Sequence, residues 1–147
     1  MRNARGDLEE VLRLTLDHFQ ADTGTLHTLG SDGLLHLRAW VGNIHDELLP
    51  IISAIPVGKG IAGLAVQRNK PVDFCNLQTD QSETVRPGAS TTGVRGSLCV
   101  PLTYCGRAAG ALGIGTNVER EFSNEEIALL METGRLVSDT STFTGEC

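Results

Sequence analysis

The residues able to carry chemistry are few in this 147-residue chain: four cysteines (Cys75, Cys99, Cys105, Cys147), four histidines (His18, His27, His36, His45), one tryptophan (Trp40) and a glycine-rich turn, Pro56-Val57-Gly58-Lys59-Gly60. No C-x-x-C spacing pairs the thiols for redox or zinc chemistry, and free thiols are the plain reading. The histidines recur every nine residues but fall on a helix, two strands and a loop, a spacing that does not gather a metal site. Neither a nucleophile elbow nor a Ser-His-Asp order stands out. The glycine turn has no G-x-G-x-x-G and no G-K-[ST], because Gly60 follows Lys59; it reads as a packing turn at a helix start. The stretch from Ile55 to Leu102, read as a glycine-bracketed turn, a short helix and two strands about a polar segment, is a frame for a small pocket. Trp40 and Phe74 supply apolar walls, Arg95 an anchor for a carboxylate or phosphate, and Asn76, Thr92 and Ser97 the hydrogen bonds that set orientation.

The elements that must position these residues follow from periodicity. Leu8, Val11, Leu12, Leu16 and Phe19 recur at helical spacing over Asp7 to Gln20, with Asp7 as cap and Gly24 after the end. Thr25–Leu29 and Leu34–Val41 form a hairpin about Gly30-Ser31-Asp32-Gly33. Alternation in the second strand sends Leu35, Leu37, Ala39 and Val41 to one face and Trp40 to the other. A short irregular helix is expected over Asp46 to Ala54 and a second helix over Ile61 to Asn69. Strands follow at Val72–Cys75, Ser97–Tyr104 and Ala108–Thr116. Between Asn76 and Gly93 the polar composition reads as a lid or loop. Ser123 with Glu126 makes a capping box for a last amphipathic helix carrying Ile127, Leu130, Met131 and Val137.

The run IPVGKGIAGLAVQRNKPV, then RGSLCVPL, the hairpin from Gly106 to Ile114 and the ending Phe122-Ser123-Asn124-Glu125-Glu126-Ile127 together resemble a GAF domain, from about Leu8 to about Val137. The resemblance implies an α+β fold: a central antiparallel sheet of five or six strands, the terminal helices on one face, and short helices with a loop over a small-molecule pocket on the other. It also implies a homodimer paired through the terminal helices. The chain departs from the motifs of the relatives with defined chemistry. Free methionine sulfoxide reductases carry a cysteine within the glycine segment, where Ala62 stands here, and another in the following loop. Bilin-binding relatives use a Cys commonly followed by His, which no cysteine here is; haem-binding relatives use a His from a stretch that here holds none. Cyclic-nucleotide relatives keep an Asn-Lys pair, but Val118 follows Asn117 here, and Glu126-Ile127 replaces their Asp-Glu.

Composition bounds the rest. Net charge is -6, and the twelve Lys and Arg residues are scattered, which argues against nucleic acid. No apolar run approaches a membrane span and the start has no signal core, so the chain is expected to be cytoplasmic. The expectation is a single sensory domain over 1–147, not an enzyme, that binds an unidentified small molecule and relays occupancy through its terminal helices to a partner or fused output. Its cofactor is unknown, with haem, bilin and cyclic nucleotide disfavoured. The alternatives are a thiol redox enzyme or redox sensor using Cys75 and Cys99, and a dimerisation module with a vestigial pocket.

Overall fold

The computed structural model describes residues 4–42, 49–74, 95–104 and 106–138. In chain order these form α1 (Ala4–Phe19), β1 (Thr23–Leu29), β2 (Leu34–Val41), α2 (Leu49–Ile52), β3 (Ala54–Pro56), α3 (Gly60–Arg68), β4 (Val72–Phe74), β5 (Gly96–Tyr104), β6 (Arg107–Thr116) and α4 (Asn124–Ser138). The six strands make one antiparallel sheet in the order β3-β2-β1-β6-β5-β4. The α+β architecture expected from the sequence is therefore the one observed.

One core lies between the sheet and the terminal helices. Leu8, Leu12, Leu16 and Phe19 of α1 and Leu130 and Val137 of α4 meet Leu26, Ala39, Leu98, Val100, Leu102, Leu112 and Ile114 of the strands. The i, i+4 spacing of Leu8, Leu12 and Leu16 puts them in one stripe, and the alternation of Leu98, Val100 and Leu102 puts them on one sheet face. Helix α1 starts ahead of Asp7, so that residue lies inside the helix and does not cap it. Its C-terminus is closed by Gln20 at φ 54, with the Ala21 N–H donating to the Leu16 carbonyl at 3.0 Å. Gly24 belongs to β1, where a Cβ would stand 3.2 Å from Leu16. The capping box is formed as read: the Glu126 N–H donates to Ser123 Oγ at 3.1 Å and the Ser123 N–H to Glu126 Oε1 at 3.0 Å.

A smaller core of Leu35, Ile55, Ala65, Val66, Val72, Cys99 and Ala111 lies on the opposite face, under α3. Here the structure corrects the strand alternation. The β1–β2 register pairs Leu26 with Ala39 but His27 with Leu37, leaving Arg38 as an extra residue. The bulge reverses which face the odd-numbered positions take. Ala39 and Val41 pack toward α1, whereas Leu35 packs under α3, contrary to the uniform alternation. Strand β3, whose first residue Ala54 is the last of the segment read as helix, pairs with β2 and becomes one edge of the sheet.

Candidate functional site

The sheet face beneath α3 presents three rows of paired residues: Thr23, Gly115 and Ser97; Thr25, Gly113 and Cys99; His27, Ala111 and Pro101. Directly opposite residues share a face, so the middle strand contributes two glycines and an alanine to it. With no side chains at Gly113 and Gly115, the surface is hollow there. Helix α3 and the α2–β3 segment partly roof this hollow, leaving an open cavity of about 190 Å³ lined by Thr23, Thr25, His27, Ile52, Ile61 and Ser97 among others.

The roof is held in place by the glycine turn. Gly58 and Gly60 take φ 88 and 63, a region that L side chains rarely adopt. Gly63 lies against the turn so closely that a Cβ would sit 2.5 Å from the Pro56 carbonyl oxygen. The sequence reading of a packing turn thus describes its role. The same turn brings Gly60, Ile61 and Ala62, the first residues of α3, to the cavity wall, and Lys59 supplies no side-chain cap. Amides of a helix's first turn have no intrahelical acceptor and carry the positive end of its dipole.

His27 is a buried titratable side chain beside this wall. It is 2% exposed, and its Nε2 lies 2.8 Å from the Ile52 carbonyl oxygen. A carbonyl only accepts, so Nε2 carries the proton and Nδ1 offers a lone pair. Nδ1 is buried and has no hydrogen-bond partner. Burial lowers the imidazole pKa, against the raising effect of the Ile52 hydrogen bond, with a further lowering from His36. Cys99, on the same face, is also buried, and desolvation pushes its thiol up to about 12, so it is protonated near neutral pH. No group of three or more His, Cys, Asp or Glu side chains able to hold a metal ion occurs among the described residues.

Of the six residues read from the sequence, Ser97 lines the cavity. Trp40 is paired with Thr25 and so shares the cavity's sheet face, as the alternation had it, but it does not line the cavity. Arg95 is exposed just before β5, its backbone N–H donating to the Thr116 carbonyl at 2.7 Å. Phe74 ends β4, opposite Ser97. Asn76 and Thr92 lie outside the described residues, as do the expected lid, Cys75, Cys105 and Cys147. Across β4–β5 the partner of Cys99 is Val72. His27 was missed as a site residue because the histidines were read only as a set; a lone His flanked by Leu26 and Thr28 in a strand leading into a hairpin was the available signal.

The antiparallel α+β domain has a helix-roofed cavity on one sheet face and the two terminal helices on the other. Residues 6–140 match the GAF domain family model, and the chain belongs to that family. No curated protein matches the chain. Among solved structures it is similar to the type II free methionine-R-sulfoxide reductase of Thermoplasma acidophilum, with 23% identity, 92% of this chain and 89% of that one covered, and a TM-score of 0.77. It is equally similar in fold to the GAF domain of an Acinetobacter phosphoenolpyruvate-protein phosphotransferase, at 19% identity, 94% and 81% coverage and a TM-score of 0.77. The free methionine-R-sulfoxide reductase of Neisseria meningitidis, solved with its substrate, follows at 18%, 92% and 75%, and 0.75. At these identities the likeness is one of fold. It nevertheless overturns the expectation that this chain is not an enzyme: the same fold serves reductases, and the missing cysteine at Ala62 is no ground for excluding catalysis. No helix among the described residues is long and apolar enough to cross a membrane.

Proposed function

We propose that this GAF domain binds a small molecule in the cavity between α3 and the β1-β6-β5 face, and that occupancy biases the packing of the terminal helices on the other side of the sheet. The observation that carries this reading is the hollow over Gly113 and Gly115, walled by Ile52, Ile55 and Ile61 and edged by the polar side chains of Thr23, Thr25, His27 and Ser97. A mostly apolar cleft with a few convergent polar groups is the usual form of a ligand site, and 190 Å³ is below the ~300–1,000 Å³ of drug-sized sites, which favours a small occupant. A route outward exists because β5 presents Cys99 to the cavity and its neighbours Leu98 and Val100 to the core under α1 and α4. A ligand that prefers one arrangement of α3 on the sheet shifts the populations of both faces.

The terminal helices are also the proposed homodimer surface. Leu14 of α1 and Leu129 and Leu136 of α4 are exposed at 63%, 42% and 56%, and a shallow groove lined by Val11, Leu14, Phe19 and Leu129 runs between the two helices. Native mass spectrometry of freshly purified protein tests the ligand reading. The expected result is a non-covalent adduct on the wild type, lost on denaturation and absent from Ala62→Phe, which fills the cavity from α3. If the wild type shows no adduct, and no compound of a small-metabolite library raises its melting temperature selectively over Ala62→Phe, the cavity is not a ligand site.

A further inference from the structure

One row of the sheet stays open at its centre. Thr25 of β1, Gly113 of β6 and Cys99 of β5 lie side by side in register, and Gly113 is partly exposed although Leu112 and Ile114 on either side of it are buried. A Cβ built on Gly113 would stand 3.2 Å from Thr25 Oγ1 and 3.7 Å from Cys99 Sγ, so both side chains lean over the place that the glycine leaves vacant. Thr25 is itself partly exposed. Among the described residues its hydroxyl has no hydrogen-bond partner, and unlike His27 Nδ1 it is not sealed from solvent.

The two groups over the glycine differ in what they offer. The Thr25 hydroxyl both donates and accepts. The Cys99 thiol, pushed up to about 12 by burial, stays protonated and acts as a small apolar group. Ile52, Ile55 and Ile61 line the same cavity and supply apolar surface. Burial also lowers the pKa of His27, so every described residue lining the cavity carries an uncharged side chain at neutral pH. A full charge brought into such a place loses water and meets only dipoles, whereas one neutral polar group loses little where a hydroxyl meets it. An apolar body with a single neutral polar group fits both the wall and the row.

Resting on the ligand-pocket reading above, we infer that the cavity selects compact uncharged molecules carrying one hydroxyl or carbonyl on an apolar body, and that Thr25 Oγ1 is the specificity-determining group that meets that oxygen. Gly113 is the other half of the subsite: a side chain there would occupy the space over which the hydroxyl leans.

The test uses two probes built on one ring: cyclopentanol, which is uncharged, and cyclopentylammonium, which is charged at neutral pH. Binding is followed by NMR titration of the amide signals of Thr25, Ser97 and Gly113, with those of Leu14 and Leu129 on the terminal helices as controls. The wild type is expected to bind cyclopentanol at least about tenfold more tightly than cyclopentylammonium, because the cavity offers the charge no partner. Thr25→Val keeps the branched shape suited to a strand but not the hydroxyl, and is expected to weaken cyclopentanol about three- to tenfold, the range of one net hydrogen bond. Thr25→Ser keeps the hydroxyl and stays near wild type. Equal binding of the two probes by the wild type overturns the inference while leaving the cavity as a ligand site. Cyclopentanol binding that is unchanged in folded Thr25→Val does the same. Shifts confined to Leu14 and Leu129 place the probe in the helix groove and also overturn it. If neither probe moves a cavity signal the inference falls, and the adduct experiment with Ala62→Phe decides separately on the cavity.

Discussion

Arg120 ties the end of α1 to the start of α4, and its removal is the sharpest test of how the two terminal helices are coupled. Its Nη1 donates to the Phe19 carbonyl at the C-terminus of α1, its Nη2 donates to Glu126 Oε2 in the first turn of α4, and its guanidinium carbon lies 4.7 Å from the centroid of the buried Phe122 ring. In Arg120→Ala the Phe19 carbonyl loses a charged donor, a loss of about 1–2 kcal/mol for a partly buried group. The stacking on Phe122 contributes about 0.5–1 kcal/mol. The ion pair adds little, because the side chains of Arg120 and Glu126 are 22% and 32% exposed and the carboxylate keeps its Ser123 hydrogen bond without the arginine. The lost hydrogen bond and stacking therefore decide the outcome, at about 2 kcal/mol. For a domain of this length that is roughly 5–8 °C in Tm, read by circular dichroism at neutral pH. Arg120→Lys keeps the charge but not the planar fork, and should fall between. A Tm within 1 °C of wild type for Arg120→Ala would refute the view that this residue fastens the two helices.

Two further outcomes follow from the same structure. The His27 pKa lies below its ordinary 6.5, so the unfolded chain binds the proton more readily than the folded one; stability is complete above about pH 6.5 and declines as pH falls from there toward the lowered folded pKa. Thermal melts between pH 7.5 and 5 should show that decline in wild type and a smaller one in His27→Gln; identical slopes would mean the buried ring is not the group responsible. Leu14→Glu combined with Leu129→Glu should convert a dimer into a folded monomer in sedimentation velocity, and a wild type that is already monomeric would remove the helix pair as the assembly surface.

The fold was legible wherever local chemistry and global position agree. Ser123 and Glu126 announce a helix start by side chains that act within four residues, and the structure forms both bonds. Gly58 and Gly60 announce a turn by conformations that few other residues take. Strand faces in β2 were legible only on one side of Arg38, at Ala39 to Val41, because a bulge is set by pairing with a partner strand and leaves no mark on the alternation itself. Ala54–Pro56 escaped notice for a related reason: three residues give no period, and only pairing with Leu34–His36 makes them a strand. The site was less legible than the fold. Ser97 was found from its place in a strand, but the cavity owes its existence to glycines at 113 and 115, where the absence of side chains, read in the sequence as permission for close approach, instead leaves room. His27 has no distinguishing neighbour in sequence; Ile52, which fixes its tautomer, is 25 residues away.

The strand order has a consequence for how the chain reaches this structure. The two central strands, β1 and β6, pair Thr23 with Gly115 and Thr28 with Gly110, so the middle of the sheet joins segments more than eighty residues apart. During synthesis the β1–β2 hairpin is complete early but keeps an unpaired edge until β6 leaves the ribosome. Closure of so long a loop is slow relative to local pairing, and an edge that waits is open to neighbouring chains. The glycines of β6 that make room for a ligand also give its last-made central strand few side chains with which to compete for that edge. Folding yield should therefore depend on the rate at which residues beyond Thr116 are delivered.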